Sequence, residues 1–205
     1  MGACQSTDSK KARQKNAEID SELLKYEEYL RKEAKILLLG SGESGKSTIV
    51  RQMKIMHMNG YTKPEAMVFR APIFMNIFTG IMLLNDGITN KLKMNWSTET
   101  AKKACDKLLS DFDEMKKTDE LVFTKDHAKV IQELWNDPSA TAALARSNEF
   151  YMLDSTPYYV QESDRIALDD FIPTEQDILR VRIKTTGIVE TKFTVQGLNI
   201  QYIIY

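Results

Sequence analysis

Gly40-Ser41-Gly42-Glu43-Ser44-Gly45-Lys46-Ser47 is a complete phosphate-binding loop, G-x-x-x-x-G-K-[ST], and its surroundings decide the fold. Just before it, Ile36-Leu37-Leu38-Leu39 is a short apolar run that predicts a buried parallel strand. Just after it, residues 48–56 contain no Gly or Pro and predict a helix. Strand, loop and helix in that order are the context the motif requires. The glycines let the backbone wrap closely around a polyphosphate with its N–H groups pointing inward. The helix N-terminus adds partial positive charge. Lys46 reaches toward β- and γ-phosphates, and the Ser47 hydroxyl suits Mg²⁺.

The bulk composition narrows the classes. The chain has 205 residues, 42% hydrophobic and 28% charged, which is globular rather than disordered. Lys plus Arg is 28 against 29 for Asp plus Glu, so charge gives no support for nucleic-acid binding. Cys4 and Cys105 cannot make a disulfide framework, and a reducing compartment is the simpler reading. The longest apolar run, 73–84, contains Asn76, Thr79 and Gly80 and is followed by Asp86, so a core helix is expected rather than a membrane span. The polar N-terminus carries no signal peptide.

That N-terminus carries a different address. Met1-Gly2-Ala3-Cys4-Gln5-Ser6 fits the acceptor pattern for myristate on Gly2. One acyl chain binds membranes marginally, and Cys4 offers a palmitate as the second signal. Lys10, Lys11, Arg13 and Lys15 form a basic cluster suited to anionic lipid. Residues 6–31 lack Gly and Pro, and Ile19, Leu23, Tyr26 and Leu30 make one narrow apolar stripe. Such a stripe docks on a partner or packs on its own domain; the pattern fits both.

From about residue 62 to 177 helical periodicity dominates. Helices are expected over 64–84, kinked or divided by Pro72; over 97–115 with Ser97 as N-cap, burying Ala101, Ala104, Leu108, Leu109 and Phe112; and over 125–135. Shorter ones are expected over 140–146, 157–162 and 165–171, making a small bundle. Cys105 falls on the polar side of its helix or at the edge of its stripe and reads as structural filler. His57 and His127 have no metal-ligand spacing with it, so no zinc site is expected. Strands then return. Val189, Thr191, Phe193 and Val195 alternate, Gln196-Gly197 turns the chain, and Leu198, Ile200, Tyr202 and Ile204 alternate again, which is a β-hairpin signal. The stretch 179–187 before it is too polar for core and too basic for an indifferent loop.

Four pieces together resemble the alpha subunit of a heterotrimeric G protein: Met1-Gly2 with Cys4; residues 40–48; Leu153-Asp154-Ser155; and Arg182-Ile183-Lys184-Thr185-Thr186-Gly187-Ile188-Val189-Glu190-Thr191. The resemblance covers essentially the whole chain. It implies an α/β P-loop (Ras-like) domain, here incomplete, with an inserted all-α helical domain, so that this chain is mostly α. The implied organisation is an N-terminal amphipathic helix with lipidation signal over 1–33, a partial GTPase domain over 34–61 and 178–205, and the inserted domain over 62–177. It implies GTP/GDP and Mg²⁺ as ligands. Gly42 to Thr48 would cradle phosphates, with Glu43, Ser44, Gly45, Lys46, Ser47 and Thr48 as binding residues. Ser47 and Thr185 would ligate Mg²⁺, and Glu43 would pair with Arg182. Arg182 would be the catalytic arginine, stabilising charge on the transferring γ-phosphoryl group. Asp154, Ser155, Leu179 and Arg180 would contact nucleotide. The implied partners are a beta-gamma dimer on the N-terminal helix and the membrane, at the cytoplasmic face of the plasma membrane. Ser41 stands where the family usually has Ala.

The resemblance also sets out what these residues lack. The family follows the hairpin with Asp-Val-Gly-Gly-Gln; here Ile204 takes the place of that Asp and Tyr205 is last. No aspartate follows Asp177, no Asn-Lys-x-Asp guanine-reading motif occurs, and the helix that meets the receptor is missing. The expectation is therefore a truncated chain with exposed apolar sheet surface, weak nucleotide affinity and hydrolysis near background. Two readings follow: a membrane-anchored GTP hydrolase that relays receptor signals, or an interaction fragment that keeps the anchor and helical domain without turnover.

Overall fold

The computed structural model describes residues 7–42, 44–118, 120–183, 189–195 and 197–204. The chain divides into two units, Met1–Val50 with Thr186–Tyr205, and Arg51–Thr185.

In the first unit, helix α1 (Thr7–Arg31) needs no breaker until the turn at Lys32. Its stripe of Ile19, Leu23, Tyr26 and Leu30 is exposed. Strand β1 (Glu33–Leu38) pairs in parallel with β3 (Leu198–Ile204), which pairs antiparallel with β2 (Val189–Val195), giving the order β1-β3-β2. The register sets Ile36 against Tyr202 and Phe193 against Ile200. Side chains alternate by two, so Phe193 and Tyr202 share one face, where their rings stack at 5.3 Å. The hairpin is the one its alternation predicted, and Gly197 supplies the positive φ of its turn (82°). β1 is the parallel strand its apolar run predicts, but that run is not buried; it is the exposed apolar sheet surface expected of a truncated chain. Ile36, Leu37 and Leu39 are exposed, because β3 alone pairs with β1 among the described strands.

Helix α2 (Lys46–His57) starts in the first unit at the end of the glycine-rich loop and runs on into the second. The second unit is helical: α3 (Lys63–Met67), α4 (Arg70–Asp86) continued by a π turn (Gly87–Lys91), α5 (Glu99–Thr118), α6 (Lys125–Trp135), α7 (Pro138–Leu144), α8 (Thr156–Gln161), α9 (Ser163–Ile166) and α10 (Glu175–Arg180). Its core is built around α4. Ile73, Phe74, Ile77, Phe78, Ile81 and Leu84 recur at helical spacing and are all buried. Phe78 stacks on Phe112 of α5 at 4.9 Å and meets Phe123 edge-on. A Cβ at Gly80 would lie 2.5 Å from Thr156, so glycine is what lets α8 reach α4. Residues 63–91 are long and apolar enough to cross a bilayer by composition, but the apolar face of α4 is spent on this core.

Several boundaries differ from the sequence reading. The expected 64–84 helix divides at Val68 and Phe69, not at Pro72, which sits in the first turn of α4 where a missing N–H costs nothing. Thr98, not Ser97, caps α5, accepting from the Ala101 N–H at 3.0 Å; Ser97 donates its hydroxyl to Asp137 instead. The helix expected over 165–171 shrinks to Ser163–Ile166. Cys105 is fully buried rather than at a stripe edge, and burial pushes its thiol up to about 12, leaving it neutral and inert. The polar stretch from 179 begins inside α10, a helix the sequence reading missed.

Asp177 anchors α10. Its side chain has no exposed surface. It accepts from Arg165 Nη2 (2.8 Å) and Nη1 (3.1 Å), from the Tyr158 hydroxyl (2.8 Å) and from the Thr174 N–H (2.7 Å). Burial alone would raise this carboxyl, but Arg165, Thr174 and Tyr158 together hold it below the usual range. A lowered folded-state value means the stabilisation is complete above about pH 4. It is lost as pH falls through the lower folded value. Asp177→Asn should cost the helical unit about 2–4 kcal/mol, less than a fully buried pair because Arg165 is a third exposed. The substitution should also flatten the acid limb. Urea unfolding of the full chain at pH 7 and pH 3 checks both; equal pH dependence in the two proteins would contradict the assignment.

Candidate functional site

The glycine-rich loop of the first unit turns on two residues of unusual backbone. Gly45 has φ 88°, a conformation costly for any residue with a Cβ. At Gly40 an added Cβ would lie 2.5 Å from the Ser44 Oγ, so the loop closes tightly on itself there. Lys46 folds back across the loop and donates to the carbonyls of Gly40 (2.7 Å) and Ser41 (2.9 Å). Those contacts place its ammonium at the mouth of the loop. The first helical bond of α2 runs from the Ile49 N–H to the Gly45 carbonyl at 3.0 Å. The N–H groups of Lys46 and Thr48 stand at the start of this helix, in the turn where backbone donors precede the ladder. Gly45, Lys46, Ser47 and Thr48 are half-buried and Ser44 is exposed. These five predicted residues form one turn at a helix start with the Lys46 ammonium folded over it, a geometry that takes an anionic phosphate.

The second unit gathers a second group. Arg182 Nη2 donates to Asp154 Oδ2 at 3.2 Å, with the arginine side chain 32% exposed and the aspartate 87%. At such exposure the pair is a weak tether that a stronger anion can displace. The backbone of residue 182 is held far more firmly. Its N–H donates to Asn76 Oδ1 (2.6 Å), and its carbonyl accepts from Asn76 Nδ2 (2.8 Å). Arg51 donates through Nη1 to the carbonyls of Ile178 (3.2 Å) and Val181 (2.7 Å), closing the end of α10. Tyr159 donates its hydroxyl to the Asp177 carbonyl at 2.8 Å. Asn76, Arg182 and Ile183 also line a cleft of about 740 Å³, closed on its far side by residues 120–122.

The remaining predicted residues separate by environment. Ser155 is buried, and its hydroxyl finds no partner among the described residues. Asp154 does not cap α8, whose N-cap is Ser155, so its carboxylate is free to pair with Arg182. Leu179 is half-buried on α10. Arg180 lies over the Tyr158 ring of α8 at 4.4 Å and bonds Gln176 of its own helix, so its charge is engaged there rather than at Asp154. Glu43 and Thr185, the expected partner of Arg182 and second Mg²⁺ ligand, lie outside the described residues, as do Gly2 and Cys4. No cluster of three acidic, histidine or cysteine ligands occurs among the described residues. The sequence reading missed Asn76, Arg51 and Asp177 altogether. For Asn76 a signal existed: it is a polar residue set in an apolar helical run, where burial demands hydrogen-bond partners.

The G-protein alpha subunit family model matches residues 13–204. The guanine nucleotide-binding protein alpha-3 subunit of Mycosarcoma maydis is 40% identical over 203 residues, covering 98% of this chain and 56% of the relative. The protein of that name from Ustilago hordei is 39% identical over the same shares. The chain thus spans little more than half the length of these relatives. On the match of the loop, the Arg182 segment and nearly all the residues between and around them, the chain belongs to the G-protein alpha subunit family.

Proposed function

We propose that this chain is the nucleotide-binding portion of a guanine-nucleotide switch that cycles between GTP and GDP. The observation that carries the reading is the loop between β1 and α2, with Gly45 in a left-handed conformation, Lys46 poised on the loop carbonyls and the start of α2 directly behind them. Family membership supports guanine over other bases, as do the names of the two relatives. In this reading residues 42–48 hold the phosphates, and Lys46 moves from the loop carbonyls to the phosphate oxygens. Bound Mg²⁺ would neutralise charge between phosphates, held by the hydroxyls of Ser47 and Thr185 with phosphate oxygens and water completing its shell. The buried, unpaired Ser155 hydroxyl fits a polar group of a bound ligand. Arg182 would leave Asp154 for the γ-phosphoryl group and stabilise the charge that develops there as water attacks. Glu43, Asp154, Leu179 and Arg180 complete the nucleotide-facing set.

Fluorescent GTPγS and GDP titrations of the purified 205-residue chain test the loop. Lys46→Ala should abolish binding while leaving the thermal transition in place; binding at unchanged affinity would remove the assignment.

Arg182 should act on turnover and not on affinity. In any longer form of the protein that hydrolyses GTP, Arg182→Cys should slow single-turnover hydrolysis by roughly 10³–10⁵-fold. GTP affinity should stay within about threefold, since the loop supplies it. A matching loss of affinity would show that Arg182 binds the ground state instead.

The exposed stripe of α1 supports docking of a beta-gamma partner. Gly2 and Cys4 are proposed to carry myristate and palmitate that hold the chain at the cytoplasmic face of the plasma membrane. Gly2→Ala should move the protein from the membrane to the soluble fraction, and Cys4→Ser should weaken retention. A double variant that stays fully membrane-bound would assign retention to the basic helix or to a partner.

A further inference from the structure

Residue 182 has both of its backbone polar groups taken by one side chain. Asn76 lies in the middle of α4, 6% exposed, among apolar neighbours that fill the core. A buried amide is costly there unless its donors and acceptor are used. Asn76 uses them all: Nδ2 donates to the Pro72 carbonyl (3.0 Å) and the Arg182 carbonyl (2.8 Å), and Oδ1 accepts from the Arg182 N–H (2.6 Å). The Arg182 backbone offers one donor and one acceptor side by side, so only one orientation of the amide satisfies both. The chain just before is fixed as thoroughly. Side chains hold the carbonyls of Asp177 (Tyr159) and of Ile178 and Val181 (Arg51). Five backbone groups between 177 and 182 are thus bound by side chains from α2, α4 and α8, and Arg182 is the last of them among the described residues. Beyond its Cα the guanidinium is only loosely tethered, to a carboxylate that is 87% exposed.

We propose that Asn76 is a positioning residue: it clamps the backbone of residue 182 so that the Arg182 guanidinium is presented from a fixed base. The inference rests on the reading of Arg182 as the residue that meets the γ-phosphoryl group. A long side chain that must reach a transferring group gains from a fixed Cα, because a shift of about 1 Å at such a group costs roughly 100-fold in rate. The apolar packing of α4 alone does not account for an asparagine here. A leucine or alanine would fill the helix without needing three partners, and it would leave the Arg182 N–H and carbonyl unpaired.

The test uses the full 205-residue chain, ¹⁵N-labelled, with Mg²⁺–GTPγS as the probe. In the wild-type chain the Arg182 amide should exchange slowly with solvent, and the Arg182 Nε–H resonance should shift when GTPγS binds. In Asn76→Ala the Arg182 amide should exchange roughly tenfold faster, the ratio set by the loss of one or two net hydrogen bonds. The Nε–H shift should shrink by about half or more, with GTPγS affinity within about threefold. The amides of Ile81 and Ile131 in the core should be unchanged, which separates loss of the clamp from loss of the fold. If Asn76→Ala unfolds, Asn76→Asp keeps shape and the acceptor for the Arg182 N–H but cannot donate to the two carbonyls. It should retain amide protection and still lose the Nε–H response. Equal exchange in wild type and Asn76→Ala would overturn the clamp. A freed amide with an undiminished Nε–H response would overturn its positioning role. Wild type that binds GTPγS without any Nε–H shift would instead sink the reading of Arg182, and the exchange rates would still decide the clamp.

Discussion

The buried carboxylate of Asp177 is the constraint on which the presentation of Arg182 depends. A charge with no exposed surface is tolerable only when its oxygens are saturated, and four donors from Arg165, Tyr158 and the Thr174 backbone saturate them. This fixes the start of α10. One turn and a half later the helix ends at Arg180, and the next residues are handed to Arg51 and Asn76. The order matters physically. A six-residue helix is too short to hold itself in water, so its ends must be held by tertiary bonds. Asp177 holds one end and Arg51 the other, and Arg182 directly follows Val181, the second anchor point.

The loop in the first unit is built on a different principle. It needs no buried charge. Its shape follows from Gly45 in a left-handed conformation and from a helix that begins abruptly at Lys46. The N–H groups at the start of α2 point their dipole into the loop, which is the binding chemistry itself. Lys46 meanwhile satisfies two loop carbonyls, an arrangement that keeps its ammonium at the mouth rather than in solvent. The two sites therefore differ in cost. The loop is local and needs only eight consecutive residues, whereas the Arg182 site draws on residues from 51 to 182.

That difference explains what was legible in the sequence. The loop, the helix after it and the hairpin 189–204 each carry their information in neighbouring residues, and each was read with boundaries within a residue or two. Helix α6 (Lys125–Trp135) matches the sequence reading to the residue: Asp137-Pro138 marks its end, and the structure adds Thr124 as the cap at its start. The Arg182 motif was legible as a motif, but what supports it was not. Asn76 is 106 positions away and Arg51 is 130 positions from Val181. No periodicity links residues so far apart. Helix α10 was missed for a related reason: Glu175–Arg180 has too few apolar positions for a stripe, and its stability comes from Asp177, whose partners sit in other helices. Cys105 falls outside or at the edge of the stripe Ala101, Ala104, Leu108, Leu109 and Phe112, yet it is buried, because the core that packs on α5 centres on Cys105, Leu108 and Phe112.

The exposure of β1 follows the same logic one level higher. The run Ile36-Leu37-Leu38-Leu39 reads as buried because apolar runs of that length normally line both faces of a covered sheet. Burial is a property of neighbours, though, and β1 has β3 on one side only among the described strands. Its place is set by six paired positions, Glu33 with Asn199 through Leu38 with Ile204, and by the Asn199 N–H donating to the Lys32 carbonyl at 2.7 Å. β3 in turn is registered by β2, with Phe193 and Tyr202 stacked on their shared face. The loop leaves β1 at Leu39 and reaches Gly40 at once. The phosphate-binding turn, the most local feature of the sequence, is therefore aimed by a strand pairing closed across more than 160 residues of chain. A slip of one residue in that pairing would exchange the two faces of β1 and turn the loop with it.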